Sequence, residues 1–324
     1  AEKLASFPEI QRLPELLTVI SLYKVDLTTL LVQELTELQG AVGRIYSKEA
    51  GIDQSIALAI EESYQPKSEE DALPHSDLGR MISLLDRWDT WIGVHCIGLS
   101  LSSSGDPLGI RRTVNGLLRI LMEKPGNIPL ETYVDSAITA YQQINGMKVN
   151  PDKVTQEWKA YYCQRMRSLL SDQYRYDIIQ SVLSENNPPN RMIEKIQLIE
   201  KELGNNELKN LYQAFVRMQK ITQTPYMTGS PSRNLLEANA EKNLWDIAIE
   251  VESVIDQNKG SIQYELQQLY RLNRPIEQFF IDVMVMADDQ EIRENRLRML
   301  SWILSLISRF ADFSKLVFER GNEQ

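Results

Sequence analysis

Apolar residues recur every three or four positions along most of this chain, which is the period of an amphipathic helix. Strand-type alternation, with every second residue apolar, is nearly absent. The first helical series comprises Leu16, Leu17, Ile20, Leu27, Leu31, Leu35 and Leu38. It predicts one long helix near the start, and the last predicted helix extends from Gln290 to Phe318. The pattern therefore predicts an all-α protein with short loops.

Prolines, glycines and polar runs divide this helical pattern into segments. The predicted internal helices include 54–64, Ser76 or Asp77 through Trp91, 234–256, 261–272 and 276–286. The clearest interruptions are Lys124–Asn127, Gly146–Pro151, Asn186–Pro189 and Gln223–Arg233. A chain of 324 residues is long enough for two or three domains. We place the first domain boundary at Lys124–Asn127.

The last predicted helix carries a reversal of charge. Six basic and three acidic residues lie between Arg293 and Arg320, so a chain of net charge −10 has a local positive surplus there. An anionic ligand responds to such a local potential. The predicted buried stripe of this helix is Ile292, Met299, Ile303, Phe310 and Val317. Arg298 and Arg309 lie on the opposite face of the helix.

Arg296 lies beside that apolar stripe, and a buried unpaired charge is costly. We therefore expect Arg296 either to form an ion pair or to bind a phosphate or an exposed base. The candidate partners for an ion pair are Asp282, Asp288 and Asp289.

A second basic and aromatic segment extends from Lys153 to Tyr176. Its tryptophan and tyrosines alternate with basic residues, an arrangement that can stack and clamp single-stranded nucleotides. Aromatic residues at helical spacing also form cores, and the pattern alone leaves both interpretations open.

Near the start, Lys24 lies on the leucine stripe, followed by Asp26, and the later word LLDRWDTW contains Asp86 and Asp89. An inward lysine needs a carboxylate partner. Paired carboxylates can also hold a divalent ion, although hard ions require more oxygen ligands than these residues supply. We expect ion pairing here and no metal site.

Other compositional features exclude several classes of chemistry. The chain has only two histidines, and Cys96 and Cys163 are solitary, which is typical of reduced thiols in a cytoplasmic protein. Phosphate-binding glycine loops and nucleophile elbows are absent from the sequence. No apolar run is long enough to span a membrane, and no secretory signal opens the chain. We therefore expect no catalytic residue, no cofactor on this chain and no membrane partner.

Several long words identify a family resemblance. They are ELQGAVGRIYS from Glu37, AIEESYQPKSEEDALPHSDLG from Ala59, LLDRWDTWIG from Leu84, GDPLGIRR from Gly105, and the segment Pro275–Val317. In this order and spacing they resemble the β subunits of the bacterial two-subunit glycyl-tRNA synthetases. The resemblance covers most of the chain and corresponds to about the C-terminal half of such a subunit.

The resemblance implies three parts: a degenerate HD-like helical domain at 1–125, a helical connector at 126–205, and an anticodon-binding helical bundle of the arginyl-tRNA synthetase type at 206–324. It implies that Lys24 replaces the metal of an HD phosphohydrolase and faces Asp86 or Asp89, with Asp26 completing the degenerate site. The implied tRNA-binding candidates are Arg293, Asn295, Arg296, Arg298, Arg309 and Lys315. Where the family usually has an asparagine and a basic pair, this chain has Asn239-Ala-Glu-Lys-Asn243, so we do not expect a basic contact there.

The function implied by the resemblance is positional. The chain would hold tRNA(Gly), while the α subunit, in an α2β2 assembly, would use ATP and Mg²⁺ to attach glycine. The alternatives are a metal-dependent phosphohydrolase of the HD type and a helical scaffold that binds only proteins.

Overall fold

The computed structural model describes residues 13–99, 106, 108–123, 129–183, 187–222, 229–257 and 261–318. All secondary-structure elements that it defines in these ranges are helices, and none is a strand. This confirms the all-α prediction. The described residues form two compact units: one contains residues up to 169 with 187–190, and the other contains 170–183 with the residues from 191 onward. The boundary predicted at Lys124–Asn127 lies outside the described residues, and the three-part division stays a prediction. No helix in the described ranges has the length and apolar character needed to cross a bilayer.

The first unit is built from eight described helices. They are α1 (Leu13–Leu22), α2 (Leu30–Glu34), α3 (Ala41–Glu49), α4 (Gln54–Glu62), α5 (Asp77–Cys96), α6 (Ile110–Glu123), α7 (Leu130–Gln142) and α8 (Pro151–Leu170). Helix α5 is the central element and packs against α4, α6 and α7. Its start matches the prediction, because the Ser76 hydroxyl accepts a hydrogen bond from the Gly79 N–H and caps the first turn.

The single leucine-rich helix predicted over 16–38 is wrong. Helix α1 ends at Leu22, a 3₁₀ turn occupies Val25–Thr28, and α2 begins after Thr29, whose hydroxyl accepts from the Val32 N–H. The turn places the Asp26 carboxylate inside, where it accepts hydrogen bonds from the Gly40 N–H at 2.7 Å and the Tyr64 hydroxyl at 2.8 Å. These polar bonds compete with a continuous helix. Several leucines of the predicted stripe are consequently exposed: Leu17, Leu27, Leu31 and Leu35.

Aromatic rings fill the centre of the first unit. Trp88 stacks on Trp91 and on Tyr133, with ring centroids 5.1 and 5.6 Å apart, and Trp158 meets Trp88 edge-on at 6.3 Å. Trp158 and Tyr162 are fully buried. For these two residues of the basic and aromatic segment at 153–176, the structure therefore supports the core interpretation over nucleotide stacking.

The second unit is built from seven described helices. They are α9 (Tyr176–Val182), α10 (Pro189–Glu202), α11 (Asn206–Thr222), α12 (Asn239–Gln257), α13 (Ile262–Tyr270), α14 (Asn273–Asp282) and α15 (Gln290–Ser308). The starts of α13 and α15 lie within a residue of those predicted. Of the predicted stripe on α15 and its extension, Met299, Ile303 and Phe310 are buried, whereas Val317 is exposed.

Helix α15 ends at Ser308, ten residues before the predicted end at Phe318. The chain then turns so that Phe310 and Phe313 both enter the core with their rings stacked at 6.2 Å. Lys195 of α10 donates its ammonium proton to the Arg309 carbonyl at 2.9 Å and lies 5.2 Å from the Phe310 ring. A buried cation thus satisfies a carbonyl that the ended helix leaves without an intrahelical donor.

Lys195 generates a prediction about pH. Burial lowers the pKa of Lys195 from 10.5 to about 8. Between these values the unfolded chain keeps a proton that the folded chain has released, so this group adds stability as pH rises through 8. We expect the unfolding free energy of the wild type to rise relative to Lys195→Met by roughly 2 kcal/mol between about pH 7.5 and 10. Urea denaturation across this range measures the difference, and parallel pH profiles for the two proteins would contradict it.

Candidate functional site

The first candidate site is the ion pair between Lys24 and Asp86 in the first unit. The Tyr23 hydroxyl also donates to Asp86 Oδ1, at 3.2 Å, and the Lys24 ammonium lies 4.9 Å from the Tyr23 ring. Burial alone would lower the pKa of Lys24, but its hydrogen bond and attraction to Asp86 raise it above the usual value. Lys24 is thus held as a cation beside one of the two carboxylates that the sequence analysis named.

Asp26 and Asp89 have different surroundings. Asp26 is buried, and its two carboxylate oxygens accept the bonds from Gly40 and Tyr64 described above. Gly40 has a φ of 83°, and a Cβ there would lie 3.0 Å from a backbone carbonyl oxygen, so Asp26 anchors a turn that requires glycine. Asp89 is exposed one turn after Asp86. Partial burial of the carboxyl group and the charge of Asp86 raise the pKa of Asp89.

Metal-ligating side chains do not assemble in the described ranges. Among these residues, no group of three or more His, Cys, Asp or Glu side chains is placed to hold a metal ion. His95 instead lies 3.1 Å from Glu157, through its Nδ1 atom, and burial lowers the pKa of its imidazole.

The second candidate site is Arg296 on α15, whose guanidinium is buried. Its Nε donates to Glu241, Nη2 lies 3.3 Å from Glu237, and Nη1 donates to the Met284 carbonyl at 3.1 Å. The predicted partners Asp282, Asp288 and Asp289 were wrong. Glu241 has no exposed side-chain area and also accepts from the backbone N–H groups of Glu237 and Ala238, at 2.7 Å each. The acidic residue in the Asn239–Asn243 word is therefore the buried counter-ion of Arg296.

Asn295 is also buried and bonded within the second unit. It is 1% exposed, its Oδ1 accepts from the Ser232 N–H at 2.6 Å, and its Nδ2 donates to the Ser232 carbonyl at 3.0 Å. The side-chain amide thus fastens α15 to the segment that precedes α12.

The other four candidates near α15 also have internal partners. Arg293 donates to the Ala287 carbonyl at 2.7 Å, and Arg298 pairs with Glu294 at 2.9 Å. Arg309 pairs with Asp256 and lies 3.8 Å from Glu252. Lys315 is more than half exposed and lies 3.9 Å from Asp312. Arg320 is outside the described residues. The local positive surplus read from the sequence is thus largely balanced by carboxylates, and RNA contact by these residues stays a prediction.

Sequence reasoning missed a different basic surface, on α11. Lys209, Arg217 and Lys220 are exposed, and in the described part of the chain none of the three pairs with a carboxylate. The Arg217 guanidinium lies 4.0 Å from the centroid of the Phe280 ring on α14. We name the set Lys209, Arg217, Lys220 and Phe280 the α11 surface. In the sequence, this surface could have been found from α11, because its basic residues have no acidic residue three or four positions before or after them.

The chain is similar to known subunits of glycine–tRNA ligases. The sequence model of the glycyl-tRNA synthetase beta subunit family matches residues 1–184. A glycine–tRNA ligase beta subunit of Oceanobacillus iheyensis is 30% identical over 99% of this chain and 46% of its own length. The corresponding protein of Ralstonia nicotianae is 32% identical over 91% of this chain and 42% of its own length. That of Desulfatibacillum aliphaticivorans is 31% identical over 98% and 46%. The chain spans a little under half the length of these relatives.

The pair Lys24 and Asp86 generates a prediction about coupling. Since Lys24 is nearly half exposed, we expect Lys24→Met and Asp86→Asn each to lower the unfolding free energy by about 1 kcal/mol or less. The double variant should lose less than the sum, because the same interaction is removed twice. Urea denaturation of the four proteins measures the coupling, and strictly additive losses would refute the ion pair as a stabilising contact.

Arg296 generates a second prediction, about folding. Arg296→Met leaves Glu241 buried without its counter-ion, and we expect a loss of about 3–5 kcal/mol in unfolding free energy. Arg298→Met, which removes a partly exposed i,i+4 pair on the same helix, should cost less than about 1 kcal/mol. Chemical denaturation compares the two variants. Similar losses would show that Arg296 is no more important to the fold than a surface residue.

Proposed function

Because the chain belongs to the glycyl-tRNA synthetase β-subunit family, we propose that it is a tRNA-holding part of a glycine–tRNA ligase. The observation that carries this proposal is the match to ligase beta subunits along nearly the whole chain. In this proposal tRNA(Gly) and the α subunit are its partners, in an α2β2 assembly. ATP and Mg²⁺ act on the α subunit, since the sequence offers no phosphate-binding loop.

We assign the tRNA contact first to the α11 surface of the second unit. Affinity for RNA comes largely from cations that neutralise phosphates. A cation already paired with a carboxylate must lose that partner before it can bind a phosphate, whereas Lys209, Arg217 and Lys220 have no such pair among the described residues. These three residues can therefore bind phosphates without that loss.

The stacked pair Arg217 and Phe280 gives this surface a second property. Unpaired RNA bases stack on aromatic rings and on guanidinium planes. A guanidinium that already lies over an aromatic ring is held in a defined orientation, so less side-chain freedom is lost on binding a base. We propose that this pair contacts exposed bases of the tRNA, as an anticodon-binding bundle requires.

The candidates near α15 have different roles in this proposal. Asn295 and Arg296 are buried, so they support the surface through the fold. Lys315 remains a candidate for direct contact because it is exposed and only distantly paired. We propose that the first unit is a degenerate HD-like domain in which Lys24 supplies the positive charge beside Asp86.

The α11 surface generates a prediction about tRNA binding. We expect Arg217→Ala and Lys220→Ala each to weaken tRNA(Gly) binding about fivefold and to reduce the salt dependence of binding by roughly one counter-ion. Filter binding over a range of salt concentrations measures both quantities, with thermal melts to establish that the variants fold.

The matched control for this test is Arg298→Ala, which also removes one positive charge from the second unit but from a residue paired with Glu294. We expect its affinity to stay within about twofold of the wild type. If Arg298→Ala weakens binding and the α11 variants do not, the tRNA contact lies along α15 instead. If the wild type binds no tRNA(Gly), alone or with its α subunit, the proposed function itself fails.

A further inference from the structure

A cavity of about 270 Å³ lies between α1, α5 and α7 of the first unit. Its aromatic lining consists of Tyr23, Trp88 and Tyr133, and aliphatic side chains cover much of the remaining wall. A dry apolar cavity of about 150 Å³ is large enough to bind benzene. This cavity therefore has room for a small organic group. Because much of its lining is apolar, an organic group fits it better than a hydrated ion does.

The charged lining of the cavity consists of Asp86 and Asp89. Lys24 balances Asp86, and the phenol groups of Tyr23 and Tyr141 are the other titratable groups near the two carboxylates. In the described residues, Asp89 has no ion pair. The cavity thus carries an excess of one negative charge when both carboxylates are ionised. Burial and repulsion from Asp86 raise the pKa of Asp89, and the charge of Lys24 and a hydrogen bond with Tyr141 offset only part of that effect.

The aromatic lining favours a cation as well. The face of an aromatic ring attracts a positive charge, and the Lys24 ammonium already lies against the Tyr23 ring. Trp88 is 2% exposed and contributes its ring to the aromatic wall of the cavity.

We propose that this cavity binds an organic cation: a guanidinium or primary ammonium group on a short apolar stem. The cation pairs with Asp89 at the exposed end, and the stem displaces water from the aliphatic and aromatic walls. The same chemistry is offered by a free small organic cation and by an arginine or lysine side chain of a polypeptide. The proposal is independent of tRNA binding by the second unit.

The probe is n-butylguanidinium, and its neutral counterpart of the same shape is n-butylurea. We expect isothermal titration of the whole protein to give millimolar binding of the cation, at least tenfold tighter than of the urea. Asp89→Asn should reduce that preference at least fivefold. Asp135→Asn removes the same charge from an exposed position on α7 and should leave it unchanged.

Ala140→Phe provides a variant that keeps every charge. Ala140 lines the cavity and is exposed, so the larger side chain fills the space without burying a new group in the core. It should abolish binding of the cation. Titration with N-acetylarginine amide distinguishes the sources: binding at least as tight as that of n-butylguanidinium identifies a polypeptide side chain, and weaker binding identifies a free small organic cation.

Equal binding of n-butylguanidinium and n-butylurea would overturn the proposal, as would binding that persists in Ala140→Phe. No binding of either cationic probe to the wild type would also overturn it. A loss of preference in Asp135→Asn equal to that in Asp89→Asn would show a diffuse surface attraction and no site.

Discussion

Every buried charge needs a partner, and the packing of the second unit depends on this constraint. The guanidinium of Arg296 and the carboxylate of Glu241 are both removed from water, and each would cost several kcal/mol if left alone. Their pair, with the Met284 carbonyl and two backbone N–H groups, joins α15 to the start of α12 and to the segment after α14. A polar network with all of its main bonds made specifies one arrangement of these three segments.

Basic residues of the first unit are also bonded to partners within the fold. Arg87 is buried and donates to the Pro66 carbonyl at 2.9 Å, and Arg119 donates to the carbonyls of Ser68 and Asp71. Arg165 donates to Asn115 Oδ1. The chain has 35 basic and 45 acidic residues. A basic side chain that is bonded within the fold is not available to bind a ligand. Anion binding must therefore rely on the few exposed cations that no carboxylate neutralises, and net charge says little about where those are.

Helical periodicity predicted the fold class and several helix starts, because both follow from local spacing and capping residues. It failed between Leu16 and Leu38, where Asp26 and Thr29 bond to backbone and side-chain groups that a helical wheel does not include. In the candidate sites, the need of Arg296 for a carboxylate followed from a charge beside an apolar stripe. The carboxylate partner of Lys24 was predicted correctly, but its inward position was wrong, because α1 ends before Lys24 and the side chain is nearly half exposed. The identity of the Arg296 partner did not follow, since Glu241 lies 55 residues away and enters through tertiary packing.

The words that made the family recognisable illustrate a related point about function. Asn295 and Arg296 lie in one of the words that carry the resemblance, yet both side chains are buried and bonded to other parts of the second unit. A buried polar residue must satisfy geometry as well as charge, so few substitutes fit and the local sequence becomes distinctive. Surface cations such as Lys220 face no such geometric requirement and leave a weaker signal. A distinctive sequence word therefore indicates a position whose packing tolerates few side chains. A surface that contacts RNA has to be sought among the basic side chains and aromatic rings that the fold leaves exposed.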